Sequence, residues 1–264
     1  MIRKILRLPL ALVPRHAIVP VISGCNRGCR WVARSHTHGC WLGWYEPDVQ
    51  AAIRKLIKPG MTVWDLGANA GFYTLAFSRM VGPRGQVVAF EPSAKNAHHL
   101  LTHVRLNQCR NVVVYQSAVT AACGFTSFSI HERSDAMSHV AASPTGYRVP
   151  TVSVNHILAE NPEWRPDIIK VDVEGAESEV LRGGSELFSS PARPVVLLSL
   201  HGLAQARTCV QFLREHEYQV TSLAGDAVSF DEAIAANDTV VAVPRGIASE
   251  GVKQALESEV AQRP

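Results

Sequence analysis

A chain of 264 residues, 47% apolar and 19% charged, can bury one large core and is too long to need disulfide staples. Its net charge of +3 is too weak for a dedicated nucleic-acid binder, which would carry a strong basic patch. The six cysteines (Cys25, Cys29, Cys40, Cys109, Cys123 and Cys209) lack the paired spacing of a zinc site and read as reduced thiols of a cytoplasmic protein.

Residues 1–58 read as an N-terminal extension of short irregular elements. Near its start Arg3, Lys4 and Arg7 interleave with Ile5, Leu6 and Leu8. That pattern suits an arm packed on the domain or on the second subunit of a homodimer, or a peripheral membrane contact through residues 1–20. Pro9, Pro14 and Pro20 break the apolar stretch, so it does not read as a bilayer span.

From residue 59 to about 246 strands alternate with helices. Thr62–Leu66 is a short apolar strand, 71–81 a helix and 86–91 the next strand. Ser93 N-caps a helix whose apolar positions Ala97, Leu100, Leu101 and Val104 follow the helical period. A third strand spans 111–116. Residues 117–165 are less regular, with a hairpin expected at Cys123-Gly124 and a loop at 143–146. Regularity returns with a strand at 167–172, a helix at 176–182 ended by Gly183-Gly184, and a strand at 194–201. A helix over 205–216 repeats the period at Ala206, Cys209, Val210 and Leu213, and 218–223 and 239–243 supply the last strands. Residues 247–264 read as a C-terminal tail. Near-continuous apolar strands such as Val87-Val88-Ala89-Phe90 suit a parallel sheet buried on both faces. The fold class is therefore α/β, a Rossmann-like, doubly wound and mostly parallel sheet carrying an N-terminal extension.

In such sheets ligands bind where the first strand turns into the first helix. That junction reads Asp65-Leu66-Gly67-Ala68-Asn69-Ala70-Gly71-Phe72-Tyr73-Thr74. Gly67 and Gly71 let the backbone turn tightly beside a ligand, and the helix that follows points free N–H groups at a negative group. A dinucleotide fingerprint needs glycine where Asn69 and Phe72 stand, which disfavours pyrophosphate and an NAD(P)-dependent oxidoreductase. A small carboxylate ligand, such as the methionine end of S-adenosylmethionine, fits better. Glu91, 26 residues after Asp65, ends the second strand, where an acid accepts hydrogen bonds from ribose hydroxyls or else caps the next helix. Asp65 orients the loop or the ligand's amino group, or is purely structural.

These residues and several separated runs resemble the FkbM family of S-adenosylmethionine-dependent methyltransferases. Leu42-Gly43-Trp44-Tyr45-Glu46 is similar to the family's segment upstream of the glycine loop, and Asp65 to Thr74 to its cofactor motif. Phe90-Glu91-Pro92 matches the acidic strand end, and Ser117-Ala118-Val119 the segment near the adenine. Ile169 to Glu177 is the most distinctive run. Ser199, two before His201, stands where the resemblance implies an acid, and Asn155 where an aspartate is common. The resemblance implies cofactor contacts from Asp65, Gly67, Ala68, Asn69, Gly71, Phe72, Tyr73, Thr74, Glu91, Pro92, Ser117, Ala118 and Asp172. It also implies methylation of a hydroxyl on a sugar, glycan or secondary metabolite.

Methyl transfer to oxygen needs a positioned acceptor and a group to take its proton. Asp172, Glu174 and His201, at the carboxyl ends of two strands beside the crevice, are the candidates. His201 has the most suitable unperturbed pKa, or else closes its strand by bonding a carbonyl. Asp172 positions substrate or cofactor, or caps a helix. Glu174 serves the proton transfer or, like Glu177, stabilises the next helix through its dipole. Lys170 is expected on the other face or in a surface ion pair. No metal site is expected, because a divalent ion would need more oxygen ligands than the sequence offers. The region 120–150 and the N-terminal extension are expected to shape the acceptor pocket, with His131, Glu132, Arg133, Asp135, His139 and Tyr147 giving it polar groups or simply solvated. The alternative is a non-catalytic cofactor-binding or scaffolding protein on the same fold.

Overall fold

The computed structural model describes residues 13–130, 138–140, 147–226, 228 and 238–246. The expected loop at 143–146 and tail at 247–264 lie outside the described residues, as do 1–12 of the expected membrane contact. Among the described residues no helix is long and apolar enough to cross a membrane.

The extension is more regular than its sequence suggests. β1 (Ile18–Pro20) and β2 (Arg30–Val32) form a small antiparallel pair, followed by α1 (His38–Leu42) and α2 (Pro47–Leu56). Pro47 at the first helical position pre-sets the backbone of α2. Val49, Ala52, Ile53 and Leu56, at helical spacing, are buried against Phe72, Phe77 and Val63, so extension and sheet share one core.

The main sheet is built from β3 (Thr62–Leu66), β4 (Gln86–Phe90), β5 (Val112–Tyr115), β10 (Ile168–Val171), β11 (Val195–Ser199), β12 (Tyr218–Ser222) and β13 (Thr239–Pro244). Its order is β12-β13-β11-β10-β3-β4-β5. β11, β10, β3, β4 and β5 are mutually parallel, and β13 runs antiparallel between β11 and β12. The sheet is mostly parallel and doubly wound. From β3 the chain works outward through β4 to β5, then returns to lay β10 and β11 on the other flank. The carboxyl ends of β3 and β10 therefore enclose the point where strand order reverses, the crevice such sheets offer a ligand.

Flanking helices are α3 (Phe72–Val81), α4 (Ala94–Leu106), α5 (Val154–Glu160), α6 (Glu177–Gly183), α7 (Ser185–Ser189) and α8 (Leu203–Glu215). In α8 the expected stripe of Ala206, Cys209, Val210 and Leu213 is buried. Ser93 caps α4 as expected, accepting from the Asn96 N–H, but the buried stripe there is Asn96, Ala97, Leu100 and His103. Leu101 is exposed, because His103 turns inward to meet backbone partners.

Two local expectations are corrected. Cys123-Gly124 does not turn a hairpin: β6 (Ala118–Val119) and β7 (Gly124–Ile130) both pair with β9 (Tyr147–Val152), which lies between them. β8 (Ser138–Val140) completes that second sheet on the far side of β7. As expected, α6 ends at Gly183-Gly184; Gly183 also allows close approach, since a Cβ there would sit 2.3 Å from the Thr120 carbonyl oxygen. Lys170 points neither to a surface pair nor away from the site. It is fully buried beside Asp65, its register partner on β3.

Candidate active site

A cavity of about 390 Å³ opens at the strand reversal, walled by the ends of β3, β4, β10 and β11 and by the extension. Gly67, Ala68, Asn69, Phe72 and Tyr73 line it on one side, and Glu91, Pro92, Ser117 and Ala118 on another. Asp172, Glu174 and His201 form a third wall. Three expected contacts stand behind the wall. Asp65 is fully buried and accepts the Thr74 hydroxyl at 2.6 Å, which ties the start of α3 to the end of β3. Gly71 packs on Leu100.

The glycine loop is fixed from two directions. Gly67 and Ala68 N–H both donate to the Phe90 carbonyl, at 3.0 and 2.9 Å. Gly67 has φ +81°, and a Cβ on it would meet the Asp172 carbonyl oxygen at 1.8 Å, so only glycine lets β3 and β10 approach here. Asn69 also takes a left-handed backbone, at φ +50°, which asparagine tolerates. Its N–H donates to Glu91 Oε2 at 2.8 Å, and the Ser93 N–H donates to Glu91 Oε1 at 2.8 Å. Glu91 therefore pins the loop and starts α4 at once. Burial pushes its carboxyl up to about 7, against the pull of those two backbone donors.

Around Lys170 the charges interlock. Its ammonium donates to Asp172 Oδ2 at 2.9 Å, lies 3.9 Å from Asp65 Oδ1 and sits over the Tyr73 ring, 5.0 Å from its centre. Burial alone would discharge the lysine, but Asp172 and Asp65 reverse that and hold its pKa above the ordinary value. Asp172 feels the same contest, burial raising its carboxyl and Lys170 lowering it further, so it stays ionised. Asp65 is raised by burial, which Lys170 and Thr74 only partly offset.

His201 sits among three carboxylates. Its Nδ1 is 2.8 Å from Oε1 of the fully buried Glu177, which also accepts the Gly175 N–H at 3.0 Å. Its Nε2 faces Asp172 Oδ1 at 3.7 Å and Glu174 Oε2 at 3.5 Å. The hydrogen bond His201 donates to Glu177 raises the imidazole pKa, overcoming burial, and Asp172 and Glu174 push the same way. Glu174 holds a left-handed backbone at φ +56°, and burial raises its carboxyl. Of the expected departures, Ser199 lies on the cavity wall with its hydroxyl 3.4 Å from that of Thr239, and Asn155 Oδ1 is buried on α5 without a hydrogen-bond partner.

Several wall residues escaped the sequence reading. His36, Tyr45 and Glu46 come from the extension, and the Tyr73 hydroxyl donates to Glu46 Oε2 at 2.7 Å. Tyr45 and Glu46 lie in the segment upstream of the glycine loop, which was the available signal; His36 had none. Phe128 is the contribution of β7. Of the polar residues expected from 120–150, residues 131–137 lie outside the described residues. Tyr147 is partly exposed, stacked edge-on against Phe128 and hydrogen-bonded to Ser93.

The wall residues fit S-adenosylmethionine. Ser117 Oγ is buried without a partner at the segment expected near the adenine, leaving a hydroxyl free to bond a ligand. Glu91 keeps spare lone pairs for ribose hydroxyls after accepting its two backbone donors. Gly71, the N-cap of α3, has no side chain to cap the helix.

The hexuronic acid methyltransferase AglP of Haloferax volcanii is 24% identical over 170 residues, spanning 64% of this chain and 68% of that protein. Methyltransferase 1 of Beauveria bassiana is 26% identical over 141 residues, 45% of this chain and 56% of its own length. A crystal structure of methyltransferase FkbM from Methylobacillus flagellatus superposes with a TM-score of 0.48 at 16% identity, over 75% of this chain and 55% of that one. Residues 65–220 match the model of the methyltransferase FkbM domain, and with more than half of its length so matched the chain belongs to the FkbM methyltransferase family.

Proposed function

We propose that this protein transfers the methyl group of S-adenosylmethionine to a hydroxyl oxygen of a sugar or glycan. The observation that carries the reading is the division of one cavity. Glu91, Ser117 and the glycine loop supply cofactor-type contacts on one side, and Asp172, Glu174 and His201 gather on the other. A sugar acceptor is supported by the hexuronic acid methyltransferase among its relatives.

When bound, S-adenosylmethionine supplies a methyl group already activated on a positively charged sulfur. The chain's residues bind, orient and shield. Glu91 holds ribose hydroxyls and keeps Asn69 in its turn. Lys170 locks Asp172 in one orientation, so that carboxylate faces the cavity as a fixed dipole. Phe72, Phe90, Phe128 and Leu200 give the cavity apolar patches that exclude water from the reacting atoms. Asp172, Glu174 and His201 Nε2 form the polar wall on which an acceptor hydroxyl docks. Orientation of this kind can supply roughly 7–11 kcal/mol of a barrier in favourable cases.

Calorimetric titration of S-adenosylhomocysteine into wild type and Glu91→Ala tests the reading, with NAD as control. Wild type is expected to bind in the micromolar range and the variant to lose about 1.5–3 kcal/mol, the worth of charge-assisted bonds. Transfer of labelled methyl to uronic acid and neutral-sugar acceptors then separates the sugar reading from other hydroxyl acceptors. A folded wild type that binds NAD and not S-adenosylhomocysteine overturns it.

A further inference from the structure

We propose that Asp172, Glu174 and His201 form a binding site for a divalent cation of the magnesium or manganese type, oriented by the buried carboxylate of Glu177. This extends the methyl-transfer reading above and names what would hold the acceptor hydroxyl.

The argument begins with the tautomer of His201. Nδ1 lies 2.8 Å from Glu177 Oε1, an acceptor that carries no proton of its own when ionised, so Nδ1 is the ring's donor. In the neutral ring that leaves Nε2 as a bare lone pair. It faces Asp172 Oδ1 at 3.7 Å and Glu174 Oε2 at 3.5 Å, two further acceptors. With the ring neutral three lone-pair atoms converge, and the positive charge between them comes from a proton on Nε2, which the same carboxylates favour, or from a cation that displaces it. Lys170 does not supply it: its ammonium is committed to the opposite oxygen of Asp172, Oδ2.

The spacing suits a metal ion. One ligand atom from each residue lies within 4.8 Å of the others, the spread spanned by ligands bonded at roughly 2.0–2.6 Å to a hard cation. Two carboxylates with one imidazole favour manganese or magnesium over softer ions, which prefer thiolates or several imidazoles. Glu177 is the independent observation. It is fully buried, its Oε2 has no hydrogen-bond partner, and its Oε1 grips the distal nitrogen of the candidate ligand. A carboxylate behind a metal-binding histidine does this work: it fixes the ring and makes the ligating nitrogen more basic. The three ligands also line the cavity, so water or an acceptor hydroxyl can fill the remaining coordination positions. A hydroxyl bound there would lose its proton to water more readily. His36 of the extension also lines the cavity, and its charge favours ionised Asp172.

The test is a titration of the full chain, stripped with chelator, with Mn²⁺ followed by loss of the free-ion EPR signal. One bound Mn²⁺ per chain is expected, displaced by excess Mg²⁺. Glu174→Gln and His201→Ala should weaken it at least about tenfold, and Glu177→Gln about 10–100-fold, the usual cost of losing such an outer carboxylate. Circular dichroism and S-adenosylhomocysteine affinity check that each variant is folded. Wild type that binds S-adenosylhomocysteine but no Mn²⁺ overturns the cation site and leaves methyl transfer standing. Mn²⁺ binding that survives both Glu174→Gln and His201→Ala also overturns it. Mn²⁺ binding with these losses, in a chain that ignores S-adenosylhomocysteine, upholds the site and removes the cofactor reading instead.

Discussion

Glu91 does two things with one carboxylate, and pH separates them. Its folded pKa of about 7 lies above the ordinary 4.5, so below 4.5 both folded and unfolded chains carry the proton. Between those values the folded state binds more protons, and its stability falls as pH rises, by about 3 kcal/mol once pH 7 is passed. His103 runs in the opposite direction. Burial lowers its pKa from 6.5 to about 4, and its stabilising neutral form is lost as pH falls. The two slopes oppose each other in wild type over most of pH 4.5–6.5. Glu91→Gln removes one of them, so urea denaturation should show this variant gaining on wild type by about 3 kcal/mol between pH 4 and pH 8. A constant difference between the two proteins would refute a buried, protonatable Glu91.

At the scale of elements, two glycines that look alike in sequence should fail differently. Gly67→Ala drives a Cβ into the Asp172 carbonyl and should abolish S-adenosylhomocysteine binding as well as lowering the melting temperature. Gly183→Ala pushes α6 from Thr120, outside the cavity, and should cost roughly 1–3 kcal/mol while leaving affinity within twofold or so. Equal loss of affinity in both would mean that the second sheet is coupled to the cofactor loop. Which elements could be read in advance follows from how local their causes are. The strands β3, β4, β10 and β11 and the stripe of α8 are written in runs of apolar residues or in a single period, and they were legible. So was the gathering of Asp172, Glu174 and His201 beside the crevice, because strand ends place them. The stripe of α4 was misread at Leu101, since hydropathy gives no sign that His103 will bury itself by bonding Ala70 and Val32. Lys170 was misplaced for a related reason: its counter-charges are on β3 and beyond the end of β10, and only register brings them together. The false hairpin at Cys123-Gly124 came from reading a turn signal without knowing that β9 would slip between its arms.

Over the whole molecule the extension is part of the site. Its β2 N–H at Val32 donates to His103 Nε2 at 3.0 Å, and His103 Nδ1 bonds the Ala70 carbonyl in the glycine loop at 2.7 Å. Trp31 stacks on the same imidazole with ring centres 3.8 Å apart, and Asn26 donates to the Phe72 carbonyl at 2.7 Å. Trp31→Ala should therefore cost roughly 3–5 kcal/mol in denaturant unfolding and also weaken S-adenosylhomocysteine. Unchanged affinity in a destabilised variant would show that the extension supports the fold without shaping the loop.

The position of β13 has a consequence for how the chain assembles. It lies inside the sheet, hydrogen-bonded to β11 on one side and β12 on the other, although both neighbours precede it in sequence. During synthesis β11 must wait with one edge unpaired, and β12 has no partner in the sheet, until residues 239–244 leave the ribosome and thread between them. Nascent chains stalled before Thr239 should thus remain protease-sensitive and prone to edge-to-edge association. Release of residues 239–244 would close the sheet in one step, so the domain commits to its native state only once β13 is made rather than growing outward from β3.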